Sequence, residues 1–404
     1  MVKFRFLAPL ILAALVLSGC VTDSPEGEGL VASAEFSKIL DLRPGEKPAT
    51  DSLEGGLWMA VERIEKNMRT SGRLYREEAL REYISDITCR LAGASCSDIR
   101  VYIVHVPYFN AGMYPNGMMV VNTGLLLRAR NEAQLAAVLG HEIGHYLRRH
   151  GLTRFRNARD TSNFLAFFQI IIGAAGVPLV GDFAGLVAMA SLSAYSRDDE
   201  READRIGLEL MAKAGYDPRE AAAIWRQLIE EQKADEEGRQ SSLFFASHPE
   251  PEERVDTLDK LATEIIKKQG AGETHRSRYR QVVGPHRTRF LRDETVLQRY
   301  KRAHKLMEML EKDGHAVGEV QFFRGELHRQ RNDTEKKDLE KALEFYDKAI
   351  GSGSYPPQLY KYLGLVHRKL GNKIKSVDAL KEYLRRAPNA EDRLMIKSMI
   401  DRSA

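Results

Sequence analysis

Cysteine is scarce, with three residues in a chain of 404. One of them, Cys20, belongs to the leader described below, so Cys89 and Cys96 are all that remain. No multi-disulfide framework holds this chain together, and a chain of this length can bury a sizeable core instead. Cys89 and Cys96 either close a short loop or stay as two thiols; spacing alone does not give the Cα separation a bridge needs. Charge of one sign is missing too. With 61 basic and 57 acidic residues the formal net charge is +4, and that balance favours no partner of either sign. Strand signal is nearly absent after residue 126, which leaves a mostly helical chain with a small sheet.

A clean membrane span is also lacking. Residues 164–193 are the most apolar zone, and 164–181 have the length to cross a bilayer. Gln169, Gly173, Gly176 and Pro178 interrupt that run and Asp182 ends it. Two readings stay open: buried helices beside a functional site, or helices whose apolar side faces the bilayer or an unfolded substrate.

The N-terminus carries Lys3 and Arg5, an apolar run from Phe6 to Leu17, then Leu17-Ser18-Gly19-Cys20. This is a secretory signal pattern. Its ending resembles a bacterial lipobox, which implies a signal over 1–19, a lipid on Cys20 and an anchor to the membrane. Residues 20–50 are rich in Gly, Pro, Ser and charge, and read as a flexible tether.

Beyond it, Leu57, Val61, Ile64 and Met68 mark one helix, and EEALREYISDITCRLAG marks a second. IRVYIVHVP and GMMVVNTGLL (117–126) read as strands around a turn at Pro115-Asn116-Gly117. The motif HEIGH (141–145) follows, on a helix that Asn131 caps with Gln134 as the partner of a capping box. HExxH places His141 and His145 one turn apart on one face, where both imidazoles reach one metal ion, with Glu142 positioned to take a proton from water. Gly140 and Gly144 disfavour helix, so another element is expected to pack closely there. A catalytic zinc site needs a third protein ligand. The charged stretch YSRDDEREADRIG (195–207) offers it, although alone it reads as a solvated helix face.

HEIGH followed by Glu200-Arg201-Glu202-Ala203-Asp204 resembles the HtpX-like and CAAX-prenyl-protease family of gluzincin zinc metallopeptidases. The resemblance implies that His141, His145 and Glu200 bind Zn²⁺, that Glu142 is the general base, and that Asp204 orients a ligand histidine. Asn110-Ala111 and the run 117–125 resemble the stretch before the family's zinc helix. Strand 117–122 is then expected to be the edge to which an extended substrate adds. Ser247-His248-Pro249 with Arg254 resembles the family's His-Pro segment. By that resemblance His248 and Arg254 lie near the zinc, where they stabilise an oxyanion or where His248 fills the open position and holds the enzyme latent.

Residues 267–305 are basic and carry glycines, which reads as a linker over 266–290. After it, Gly325 matches Gly364 and Ala342-Leu343 matches Ala379-Leu380, a period of about 34 residues plus a short insertion. This resembles tetratricopeptide repeats, with 391–402 as a capping helix. The expected architecture is therefore a mainly α chain with a small β-sheet. A gluzincin-type zinc protease domain spans 51–265, and an α-helical repeat domain spans 291–404. The leader and repeats together resemble the periplasmic, repeat-bearing members of the family. That implies an endopeptidase acting on unfolded or misassembled envelope proteins, lipid-anchored at the outer membrane. It also implies an envelope protein partner on the repeats and no nucleic-acid partner. The alternative is a repeat-based chaperone or assembly adaptor with a largely latent protease.

Overall fold

Helix Leu53–Thr70 starts where Ser52 caps it by accepting the Gly55 N–H, and Leu57, Val61, Ile64 and Met68 are buried along one face. A computed structural model of the chain describes residues 43–158, 195–234, 248, 251–331 and 336–402. The expected signal at 1–19, Cys20 and the apolar zone 164–193 lie outside the described residues. Among the described residues no helix is long and apolar enough to cross a membrane. The expected tether ends sooner than residue 50. Pro48 is buried, Lys47 pairs with Glu62 at 3.0 Å, and Gly55 leaves room for the Ala49 carbonyl. Helix Glu78–Ala92 follows, and a Cys89–Cys96 disulfide ties its end to the next turn.

Among the described residues the sheet has three strands: β1 (Arg100–Val104), β2 (Ala111–Met113) and β3 (Met118–Asn122), in the order β1-β3-β2. The expectation that 117–122 is an edge is overturned. β3 is central, parallel to β1 and antiparallel to β2, and all five of its residues are buried. A continuous apolar run such as MMVV suits a strand covered on both sides. β2 is an outer strand, and its Ala-Gly-Met carries almost no strand signal. The expected strand 117–126 also stops early, and Thr123–Arg128 is helical.

Helix Glu132–Leu147 carries HEIGH, and helix Arg197–Lys213 carries DEREAD. Asn131 caps the first by accepting the Gln134 N–H at 2.8 Å. The reciprocal bond of a capping box goes elsewhere, because Gln134 Oε1 accepts the Arg130 N–H. The two helices pack against each other through small residues. A Cβ on Gly144 would lie 2.9 Å from the Ala203 carbonyl oxygen, and one on Gly207 2.7 Å from the His141 backbone nitrogen. Gly140 and Gly144 thus trade helix propensity for a close backbone approach that sets Glu200 opposite the histidines.

The stretch 266–290 is not a free linker. It holds helix Arg276–Val283, whose Tyr279 and Val283 are buried, and Tyr279 donates to the Leu126 carbonyl at 2.6 Å. Its basic residues turn outward to acids: Arg276 and Arg280 to Asp313, Arg278 to Asp86. One buried cluster runs from Tyr75 to Val366. Four buried charges reinforce it: Arg128 contacts Glu231 and Glu294 at 2.6 and 2.9 Å, and Arg302 contacts Glu294 at 2.9 Å. Beyond lie two helix pairs, Val317–Gln330 with Lys336–Gly351 and Gln358–Lys369 with Lys373–Arg386, then helix Arg393–Asp401. Gly325 faces Tyr346 and Ala342, and Gly364 faces Leu380 and Ser376, so the matched glycines play the same packing role in both pairs.

Candidate metal centre

His141 and His145 leave the HEIGH helix on one face, and Glu200 meets them from the DEREAD helix. His248, the expected loop histidine, reaches the same point. One donor atom from each of these four buried residues lies within 4.8 Å of the other three. His145 Nε2 is 3.0 Å from His141 Nε2 and 3.3 Å from Glu200 Oε1. His248 Nδ1 is 2.8 Å from Glu200 Oε1 and 3.2 Å from His141 Nε2. Donors about 3.3 Å apart are the corners of a tetrahedron with bonds of about 2.0 Å, the coordination zinc takes. Glu142 Oε1 is buried beside them without a hydrogen bond. The donor set therefore fits a metal ion.

Burial and charge tune these groups in opposite directions. Burial pushes the Glu200 carboxyl up, but His248, His145 and His141 outweigh it and hold it well below the usual range. Burial drives His145 well below its ordinary value, keeping a neutral imidazole, the form that binds a metal. Burial lowers His248, yet Glu200 and Glu142 outweigh it and raise the net value.

The surrounding layer fixes these four side chains. Asp204 Oδ1 is 2.9 Å from His141 Nδ1, which leaves Nε2 for the metal. Arg254 donates to both Asp204 oxygens, at 2.8 and 2.6 Å, and its Nη1 lies 2.8 Å from Glu200 Oε2. Burial pushes Asp204 up, but Arg254 and His141 hold it at about 2. Arg254 also stacks over Trp225, 4.5 Å from the ring centre. The residue thus braces Asp204 and Glu200. Three further side chains belong to this layer that motif reading did not assign. His150 Nδ1 is 2.9 Å from His145 Nδ1, and its other nitrogen is 3.0 Å from Glu202. Tyr195 stacks on His145 at 3.8 Å between centroids, and Trp225 stands edge-on to His141. A sequence signal existed only for His150, at the end of HEIGHYLRRH.

Glu142 faces the edge of the sheet. The Met113 N–H of β2 donates to Glu142 Oε2 at 3.2 Å, and Glu142 Oε1 is 3.5 Å from His248 Nε2. Burial raises the Glu142 carboxyl above its ordinary value, against the pull of His248 and His141. Beside it a cleft is walled by Trp58, Met113, Tyr114, Leu152 and Tyr195, with His145 at its side.

An HExxH helix crossed by a second helix that supplies a buried glutamate defines a metallopeptidase domain. Residues 75–262 match the model of peptidase family M48, and this part of the chain is an M48 peptidase domain. The chain is similar to the "Beta-barrel assembly-enhancing protease" of Yersinia pestis, 26% identical over 270 residues, 63% of this chain and 53% of that protein. It is 30% identical over 186 residues to the "Mitochondrial metalloendopeptidase OMA1" of Schizosaccharomyces pombe, 45% of this chain and 53% of that protein. It is 26% identical over 214 residues to the "Beta-barrel assembly-enhancing protease" of Escherichia coli K12, 50% of this chain and 42% of that protein. The chain thus spans about half the length of these curated relatives.

Proposed function

We propose that the chain is a zinc endopeptidase that cuts unfolded or misassembled polypeptides in a cell envelope. The observation that carries this reading is the convergence of His141, His145 and Glu200 beside a buried Glu142 facing an edge strand. Zinc held by those three residues supplies Lewis acidity for the carbonyl and for water. Glu142 takes the proton from the attacking water and passes it to the leaving amine. Its raised pKa suits a group that both accepts and releases a proton. An extended substrate adds to β2 by main-chain hydrogen bonds, so recognition rests on backbone more than on side chains. That suits substrates defined by being unfolded. Asp204 holds His141 in its metal-binding orientation, and Arg254 holds Asp204.

The envelope setting rests on the lipobox-like leader ending at Cys20 and on the relatives named for β-barrel assembly. In this reading the lipid on Cys20 anchors the chain at the outer membrane. The tetratricopeptide-like helix pairs present a surface to an envelope protein partner.

His248 favours a second element of the reading. Its Nδ1 lies among the ligand atoms, where a fourth donor would complete a tetrahedral set and exclude water. We place it as a latch that keeps the protease idle, which leaves room for an adaptor role of the helix pairs. Replacing it is expected to open the site: His248→Ala in the zinc-loaded chain should raise cleavage of an unfolded protein such as reduced casein several-fold. A large fall in kcat with unchanged KM would instead make His248 a donor to the transition state.

A further inference from the structure

The junction between the peptidase domain and the following helices holds a second cavity, about half open to solvent. Three arginines line it: Arg130, just before the Asn131 cap of the HEIGH helix, Arg280, and Arg287. Arg130 Nε, Arg280 Nε, and Arg287 Nε and Nη2 are all buried without a hydrogen bond. Arg287 is only 9% exposed. Its Nη1 is satisfied by His315, at 2.9 Å from both the ring Nδ1 and the carbonyl oxygen. Its Nε and Nη2 form the fork that remains, the edge that grips a carboxylate or phosphate with two parallel bonds.

Leaving a buried donor of a charged group unpaired costs about 1–3 kcal/mol or more, so native proteins rarely do it. Here the four such nitrogens lie on residues that line one cavity. The charge does not balance either. Asp313 is the one acid among the lining residues, and it already takes Arg276 and Arg280 at 2.6 and 2.8 Å. Glu319 lies nearby, outside the lining, and accepts from Thr288. Burial lowers both Arg130 and Arg287, the response of cations held without enough counter-charge. Water satisfies donors but does not neutralise them. The remaining walls are apolar, among them Leu126, Leu127, Phe290 and Leu310.

We propose that this cavity is a binding site for an oxyanion, carboxylate or phosphate, carried on an apolar group. The Arg287 fork holds the anion and the apolar wall takes the rest. Arg130 and Arg280 are only part-buried, and a small rotation of their long side chains brings Nε onto a ligand oxygen. The site is separate from the metal centre and bridges the peptidase domain to the helices after residue 290.

The test uses the full chain titrated with phenyl phosphate and, separately, with 4-phenylbutyrate, followed by calorimetry. Saturable binding of either probe that Arg287→Gln weakens tenfold or more is the expected result, and the probe that binds names the anion. Arg280→Gln is expected to weaken the same binding and serves if Arg287→Gln does not fold. Removing an unpaired buried charge is not expected to unfold the chain. Absence of binding by both probes overturns the proposal. So does binding that both variants retain at full strength, since the anion would then lie elsewhere, on the metal centre for example.

Discussion

Glu142→Gln should abolish peptide hydrolysis and leave zinc and substrate binding in place. The substitution keeps the shape of the side chain and its bond from the Met113 N–H, at 3.2 Å in the native chain. It removes the ability to accept a proton. General bases of this kind contribute about 10²–10⁴-fold to rate, so kcat on reduced casein should fall by at least about 100-fold. KM and metal content should stay within about twofold, because Glu142 is not among the four clustered donor groups. The same variant separates the two readings of biological role. A cellular role that survives in the metal-loaded Gln variant would point to the helix pairs as the working part.

Removing Arg254 should have the largest effect on stability. Arg254 is 4% exposed, and its guanidinium holds Asp204 through two hydrogen bonds. It also lies against Glu200, and its face covers Trp225. Arg254→Leu keeps apolar bulk beside Trp225 but leaves buried carboxylates without their cation. Breaking a buried pair on one side costs about 3–5 kcal/mol. Urea unfolding of the metal-free chain should show a loss of that order. Zinc binding should weaken as well, because Asp204 then no longer holds His141 in place. Arg254→Lys, which keeps the charge but not the fork, should lie between the two. A loss below about 0.5 kcal/mol for Arg254→Leu, the size of an ordinary surface substitution, would show that Arg254 does not brace the centre.

The ligand helices were legible because each carries its own periodicity. Asn131 caps, HEIGH repeats at one turn, and Glu200 and Asp204 share a face one turn apart. Gly140 and Gly144 announced a close neighbour, and the structure supplies Ala203 and Gly207. His150 was not legible in the same way. It follows Arg149, whose φ of 57° breaks the helix, so helical spacing no longer says where the side chain points. Tyr195 and Trp225 reach the histidines only through tertiary packing. The sheet was half legible. Met118–Val121 are apolar and read as a strand, but the strand's rank in the sheet depends on β2, three residues with a glycine at their centre. The basic stretch 266–290 misled because composition records charge and not direction. Arg276, Arg278 and Arg280 face acids elsewhere in the chain while Tyr279 and Val283 turn inward.

The central claim is that His141, His145 and Glu200 together hold zinc for hydrolysis. The most direct measurement is the metal content of the purified full chain beside that of Glu200→Ala, by atomic emission after extensive dialysis. The native chain should carry about one zinc per molecule, and the variant should retain well under half of that while remaining folded. Equal zinc in the two proteins would contradict the assignment of Glu200 and the centre built on it.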